Sequence, residues 1–363
     1  MIRVAVDVSP LHGAMTGVGR AVDGMVRQLR QHPSIELTEY VVSFRATLHE
    51  NTRRLPFPAG LSIKSWSRRD FPMAHRFLPG IDVLHGMNYV VPPTKGPRVV
   101  TVYDCWALLN PSQCSSITNN AMKALRRAIH TGAVVHASSH ATAITLNELF
   151  PEARIEMIHL GAPERRPAQT AVARPEKLID FGHSPFVVAI GTVEKRKNYS
   201  RLVKAFALAA TDVPDLQLVI AGSPGDDSDL LHQTLEALPS TMARRVHLIG
   251  RVTEDNIAWL YQHATAMAYP SLDEGFGFPL LEAMAEQLPI VGSTRGSIPE
   301  VSGSAAILVD PLDIASLAEA LTSVVSDSEL RSKLQSAATA QYQTFTWEKT
   351  AQHLMNLYAD LVK

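Results

Sequence analysis

Short apolar runs, each closed by a polar or glycine-bearing turn, alternate with 3.6-period apolar patterns along nearly the whole chain. That alternation predicts an α/β fold built on parallel sheets. In the first half the runs predict strands over 3–7, 37–42, 83–85, 99–103, 133–136 and 155–159, with helices near 19–31, 119–129 and 139–150. Residues 163–175 break the rhythm. They are rich in proline and arginine, lack an apolar period and read as a linker. The pattern then restarts, with strands over 186–190, 216–221, 246–249, 266–269, 290–292 and 306–309. Helices are expected over 200–210, 230–238, 255–262, 279–286, 314–326 and 328–343, and residues 345–362 form a last amphipathic helix. The chain reads as two doubly wound halves of similar size.

Composition narrows the class. The chain has 363 residues, 46% of them hydrophobic, and a mean hydropathy of +0.01. This suits a soluble globular protein with enough core for two domains. No apolar run approaches the ~20 residues of a membrane span, and residues 1–7 read as a first strand rather than a secretion signal. Cys105 and Cys114 carry no metal spacing and read as two buried thiols in a cytosolic enzyme. The net charge of −1 hides an asymmetry. Residues 1–178 hold 21 Lys and Arg against 13 Asp and Glu, so the remainder is acidic. The basic half either meets an anionic surface or acceptor, or attracts the acidic half.

The candidate chemistry sits in turns that follow strands, where open α/β sheets bind ligands. After the strand over 266–269 comes a glycine-bearing loop with Glu274, Gly275, Phe276 and Gly277, then Pro279, Leu281 and Glu282 in a helix start. A helix N-terminus favours an anion, and carboxylates beside it suit the hydroxyls of a sugar or ribose. After the strand over 186–190 come Gly191, Thr192, Arg196, Lys197 and Asn198. Adjacent cations at a helix start oppose the dipole unless they close on an anion such as a diphosphate. Gly222 and Ser223 form a turn that lets a ligand approach the backbone. Arg251 and Val252 mark where a nucleobase could lie against it. Ser297 and Glu300 read as a capping box. In the first half, Gly17 and Gly19 follow the first strand without the dinucleotide fingerprint. His85, Asn88 and Asp104 also end strands, and a lone histidine there is more often structural.

These residues resemble a known family, the retaining glycosyltransferases of family 4, which have the GT-B fold. The likeness spans nearly the whole chain and is sharpest in the second half. Glu274-Gly-Phe-Gly-Phe-Pro-Leu-Leu-Glu282 resembles the family's Glu-x7-Glu motif, and Gly191-Thr-Val-Glu-Lys-Arg-Lys-Asn198 resembles its diphosphate-binding turn. Asp7 with Gly17-Val-Gly-Arg20, the segment 82–85 and the segment 345–348 are similar to family patterns. The resemblance implies two Rossmann-like doubly wound domains facing a central cleft. Residues 1–178 would bind the acceptor, with the helix 346–363 packing back on them, and residues 179–345 would bind a nucleotide-sugar donor. Glu274, Lys197 and Arg196 would be catalytic. Glu282 would bind the ribose, and Glu274 with the N–H groups of Gly275, Phe276 and Gly277 would orient the sugar. Two positions depart from the pattern: Thr192 stands where many members have arginine, and Tyr103 where many have histidine. Arg196 would supply the first missing charge, and His85 or His12 would stand in for the second.

The implied reaction is retaining transfer of a hexosyl unit, mannosyl as a first guess, from a nucleoside-diphosphate sugar to an acceptor hydroxyl. The acceptor would be a glycan, a lipid-linked sugar or a small molecule, and nucleic acid is not expected as a partner. No aspartate-based metal motif is present, so no essential metal or other cofactor is expected. Lys64, Trp66, Arg68, Arg69, Phe71, Arg76 and Phe77 mix cations with aromatics and suggest peripheral contact with an anionic membrane. The rival readings are a nucleotide-sugar epimerase, a glycosyl phosphorylase and a non-catalytic nucleotide-sugar-binding subunit.

Overall fold

The apolar runs assemble into two separate parallel sheets. A computed structural model describes residues 1–13, 15–42, 52–166, 172–182 and 184–363. The chain divides into two compact units, residues 1–161 with 345–363, and residues 162–344. The boundary falls at Gly161 rather than at 178 because the start of the expected linker packs within the second unit. There the Tyr342 hydroxyl donates to the Pro163 carbonyl (2.5 Å) and the Arg165 guanidinium lies 4.8 Å from the centre of the Tyr342 ring. Residues 167–171 of that linker lie outside the described residues.

The first unit holds β1 (Ile2–Asp7), β2 (Ile35–Val41), β3 (Thr52–Arg54), β4 (Val83–Gly86), β5 (Arg98–Val102), β6 (Val134–Ala137) and β7 (Ile155–Met157). They run parallel in the order β3-β2-β1-β4-β5-β6-β7, with Val4 paired to both Leu37 and Val83. Helices on both faces bury the sheet, which is why β5 is buried at every residue. The helix Gly17–Gln31 shows how the sequence codes the packing. Thr16 accepts from the Gly19 N–H (3.1 Å) as N-cap, and Val22, Met25, Val26 and Leu29 form the buried stripe at the i, i+3, i+4, i+7 spacing. The strand β3 and the helix Ala59–Trp66 were not expected from the pattern. Thr52-Arg-Arg54 has no apolar period to reveal a strand.

The helix Trp347–Leu361 belongs to this first unit. The Trp347 indole lies against Gly24 and Gly161, where any side chain would collide with it. Beyond it, a hydrogen-bonded chain crosses the sheet. His136 Nε2–H donates to the Ile158 carbonyl (2.9 Å), which leaves its Nδ1 to accept from the Thr101 hydroxyl (3.0 Å). Thr101 then accepts from His85 Nε2–H (2.7 Å), and His85 Nδ1 accepts from the Tyr358 hydroxyl (2.6 Å). One tautomer of each neutral imidazole satisfies all four bonds. His85, Thr101, His136 and Tyr358 are each fully buried, so an interruption would strand a polar group at about 1–3 kcal/mol. Cys105 is buried as expected, whereas Cys114 is only half-buried.

The second unit holds β8 (Phe186–Ile190), β9 (Gln217–Ala221), β10 (Val246–Gly250), β11 (Ala266–Tyr269), β12 (Ile290–Ser293) and β13 (Ala306–Val309). These strands are also all parallel, in the order β10-β9-β8-β11-β12-β13. Val187, Leu202, Phe206, Leu218 and Leu321 centre its core. The order of strands reverses between β8 and β11, and in the first unit between β1 and β4. Among the described residues, no helix is long and apolar enough to cross a membrane.

Burial pushes His136 down to about 4 and holds His85 well below the ordinary histidine range. A folded pKa below the unfolded ~6.5 makes the stabilisation complete above pH 6.5 and lost as pH falls toward 4. His136 alone gives about 2 kcal/mol of lost stability between pH 7 and 5. Asp7, pushed up to about 6 by burial, titrates with the opposite sign and offsets about 1 kcal/mol. Urea unfolding is therefore expected to show lower stability at pH 5 than at pH 7, and equal or higher stability at pH 5 would contradict the neutral-histidine network.

Candidate active site

A parallel sheet aims its carboxyl ends, and the loops that follow them, at one edge. Where the strand order reverses, two such loops diverge and leave a crevice. In the second unit the loops bordering this point follow β8 and β11, and they carry Lys197 and Glu274. The first loop is shaped by glycine. Gly191 has φ 145°, and a Cβ there would press on Lys197 Cε and the Tyr199 hydroxyl, each 3.1 Å away. Gly222 is glycine for a different reason from the one its sequence suggested. A side chain would strike the Gly191 carbonyl, because the turn after β9 packs directly on the turn after β8. Val193 N–H donates to the Ser223 carbonyl (2.9 Å) across that contact. Gly222 and Ser223 therefore brace the Gly191 turn.

The three cations Lys195, Arg196 and Lys197 form a single 3-10 turn ahead of the helix Tyr199–Asp212. They precede that helix, which starts at Tyr199, one residue ahead of the expected Ser200. Asn198 ends the turn in the left-handed region (φ 61°), a conformation asparagine tolerates. Its Nδ2 donates to the Pro270 carbonyl (3.1 Å) and the Pro311 carbonyl (2.8 Å). Leu272 N–H donates to the Arg196 carbonyl (2.7 Å), and Ser297 N–H to the Glu274 carbonyl (2.9 Å). These bonds draw the cationic turn onto the loop after β11. Ser297 holds the N-cap position of the helix Ile298–Ser302 but makes no cap bond, so the expected capping box is absent.

The result is a buried charge cluster. Lys197 Nζ donates to Glu274 Oε1 (2.5 Å) and to the Tyr269 hydroxyl (3.1 Å). Arg196 reaches Glu274 Oε2 (3.0 Å) with one nitrogen and Glu194 Oε2 (2.8 Å) with another. Lys197 is 6% exposed and Glu274 8%. Burial alone would raise the Glu274 carboxyl, but Lys197 and then Arg196 overcome it and hold the group below the usual carboxylate range. Burial draws the Lys197 ammonium below the usual lysine range, against the pull of Glu274. A buried ion pair contributes little net stability, yet losing one partner costs about 3–5 kcal/mol. Chemically, the cluster is a pair of cations already assembled in a low-dielectric pocket and sharing Glu274, a carboxylate that a bound anion could replace, while Glu194 keeps its own bond to Arg196.

The helix Phe278–Ala285 starts beside this cluster. Its N-cap is Gly277 (φ 91°), Pro279 lies in its first turn, and no acidic residue sits there to offset the dipole. Glu282, half-buried on that helix, accepts from the Tyr261 hydroxyl (3.0 Å). Gly275 and Phe276 are buried within the loop. Leu281 is fully buried, so its side chain belongs to the core rather than to a donor-binding surface. Thr192 is half-buried in the first turn. Arg251 and Val252 line a cavity of about 850 Å³ with Arg174, Lys177 and Glu254, apart from the residues that touch Glu274. Tyr269 and Tyr261 were missed by the sequence. A hydroxyl at the end of an otherwise apolar strand was the available signal for Tyr269.

In the first unit, the expected acceptor-side residues separate into two groups. Gly17 and Gly19 open the helix after β1, Asn88 follows β4, and Asp104 follows β5 with its carboxylate accepting from Trp106 N–H (3.0 Å). All lie beyond carboxyl ends of strands. His85 does not qualify. It is fully buried and both ring nitrogens are spent on Tyr358 and Thr101, so it is a structural residue. Asp7, at the end of β1, accepts from the Ser9 hydroxyl (2.5 Å) and N–H (2.9 Å).

Comparisons with known proteins bear on the family and the fold. The family described as "Glycosyl transferases group 1" matches residues 174–341, which include the whole charge cluster. The O-antigen chain mannosyltransferase B of Escherichia coli is 27% identical over 304 residues, 81% of this chain and 76% of that protein. Among solved structures, sucrose-phosphate synthase of Thermosynechococcus elongatus superposes with a TM-score of 0.71 at 18% identity over 99% of both chains. HepE of Anabaena, solved with UDP and glucose, gives a TM-score of 0.71 at 15% identity over 99% of this chain and 100% of that one. Residues 174–341 thus match the group 1 glycosyltransferases, and the fold of the chain is GT-B.

Proposed function

We propose that this protein is a glycosyltransferase that moves a hexosyl unit from a nucleoside-diphosphate sugar to an acceptor hydroxyl with retention at the anomeric carbon. The observation that carries the reading is the buried Lys197–Glu274–Arg196 cluster at the switch point of the second sheet. The diphosphate lies against the Gly191 turn and the N-terminus of the helix Phe278–Ala285. Departure of the leaving group builds charge on its oxygens, and Lys197 and Arg196 stabilise that charge most at the transition state. Glu274 exchanges its cations for the hydroxyls of the transferred sugar, and Glu282 takes the ribose hydroxyls. A donor phosphate oxygen accepts the proton of the incoming hydroxyl. Arg251 and Val252 border the base, and the first unit binds the acceptor.

The sugar is assigned to mannose on the likeness to the E. coli mannosyltransferase, so GDP-mannose is the first donor to test. The acceptor is a growing cell-surface glycan or glycolipid at the cytoplasmic side of a membrane. Two cations built into the fold do the work that a divalent ion does elsewhere, so no metal is required. On the first unit, Leu61, Phe71 and Phe77 are exposed among Lys64, Arg68, Arg69 and Arg76. This is the composition of a surface that rests on anionic lipid. Trp66 is not part of that surface, because it is buried and donates to the Pro72 carbonyl (2.9 Å).

Glu282→Ala is expected to weaken donor binding about tenfold by calorimetry, the loss of hydrogen bonds to a charged group. Glu274→Gln is expected to lower kcat about 100-fold while leaving donor binding within a few-fold. Wild-type kinetics in both variants would refute the site. Transfer is expected to persist at full rate in EDTA, and a rate restored only by added Mg²⁺ or Mn²⁺ would refute the metal-free reading. In flotation assays the protein is expected to follow anionic vesicles in preference to neutral ones, with equal partition counting against lipid contact.

A further inference from the structure

We infer that Tyr269 is a positioning residue that holds Lys197 in place while the donor's diphosphate departs. The inference rests on the proposed donor site and adds to it a residue from outside its motifs.

Lys197 has a flexible four-carbon stem and three ammonium hydrogens. Two of them are committed, one to Glu274 Oε1 (2.5 Å) and one to the Tyr269 hydroxyl (3.1 Å). The ammonium also lies 4.7 Å from the centre of the Tyr269 ring, within range of a cation–π attraction. A Cβ built on Gly191 would sit 3.6 Å from Nζ, so the ammonium lies beside the Gly191 turn. The third hydrogen is left for an oxygen held at that turn. Tyr269 is suited to a fixed support. It ends β11, is 2% exposed, and burial, reinforced by the charge of Glu274, keeps its phenol protonated. The hydroxyl can therefore accept from Lys197 while its own proton faces Glu274.

The two supports of Lys197 differ in kind. When Glu274 turns to the sugar, its hold on the ammonium is released. Tyr269 remains, fixed by the sheet, and keeps the ammonium aimed at the leaving group. Its contribution falls on the step in which phosphate charge develops, so it bears on kcat rather than on donor affinity.

Tyr269→Phe keeps the ring and removes the acceptor. The expected result is a loss in kcat on the order of tenfold, the value of one hydrogen bond to a charged group, with donor KM within about twofold. The alkaline limb of the kcat–pH profile is expected to move to lower pH, because the ammonium loses a bond that favours its charged form. In a Lys197→Ala background the same substitution is expected to cost nothing further. If wild-type protein transfers sugar but Tyr269→Phe matches it in kcat and pH profile, Tyr269 has no such role. A Tyr269→Phe loss that persists in full in the Lys197→Ala background would show a general structural effect and overturn the inference equally. If the wild type binds no nucleoside diphosphate and transfers nothing, the donor-site reading itself fails and the inference falls with it.

Discussion

An ammonium and a carboxylate, taken out of water together at the edge of a parallel sheet, form the interaction on which this site depends. Lys197 and Glu274 are 77 residues apart and each would be costly to bury alone. Held together, they neutralise one another, and Arg196 adds a second cation to the same carboxylate. Such a cluster contributes little to net stability. In the proposed reaction its value is electrostatic: the cations are already oriented when charge appears on a departing group, so no solvent need reorganise.

The cluster is a consequence of topology. A doubly wound sheet diverges its loops where the strand order reverses, and the second unit places its cationic turn on one side of that point and Glu274 on the other. Glycine makes the geometry possible at Gly191, which adopts a conformation other residues resist, and at Gly222, where two turns meet without room for a side chain. The first unit uses the same architecture differently. Beneath its switch point, His85, Thr101, His136 and Tyr358 form a neutral hydrogen-bonded chain that fastens the last helix to the sheet. One unit buries charge where the proposed reaction needs it, and the other buries neutral polar groups where the last helix packs.

Much of this was legible along the chain because parallel strands buried on both faces read as apolar runs, and because motif residues fall in the turns after them. The placement of Glu274, Arg196 and Lys197 in such turns, and of Glu282 in the helix that follows, was legible on that ground. What escaped was the pairing of distant segments. Nothing local says that Asn198 bridges Pro270 and Pro311, or that Tyr269 supports Lys197. Gly222 read as an approach for ligand because a glycine turn looks the same whether it admits a substrate or another loop. His85 ended a strand, as a ligand-contacting histidine would, but its partners Thr101 and Tyr358 lie on other elements. The strand Thr52–Arg54 lacked an apolar period altogether. Periodicity reports which face is buried, and it is silent on what the buried polar groups meet.

The most direct measurement is a crystal structure of the protein with a nucleoside diphosphate sugar. The account predicts phosphate oxygens about 3 Å from Lys197 Nζ, seated on the Gly191 turn, with Glu274 turned from its cations to the sugar. A diphosphate bound elsewhere, with the Lys197–Glu274 pair intact, would contradict it.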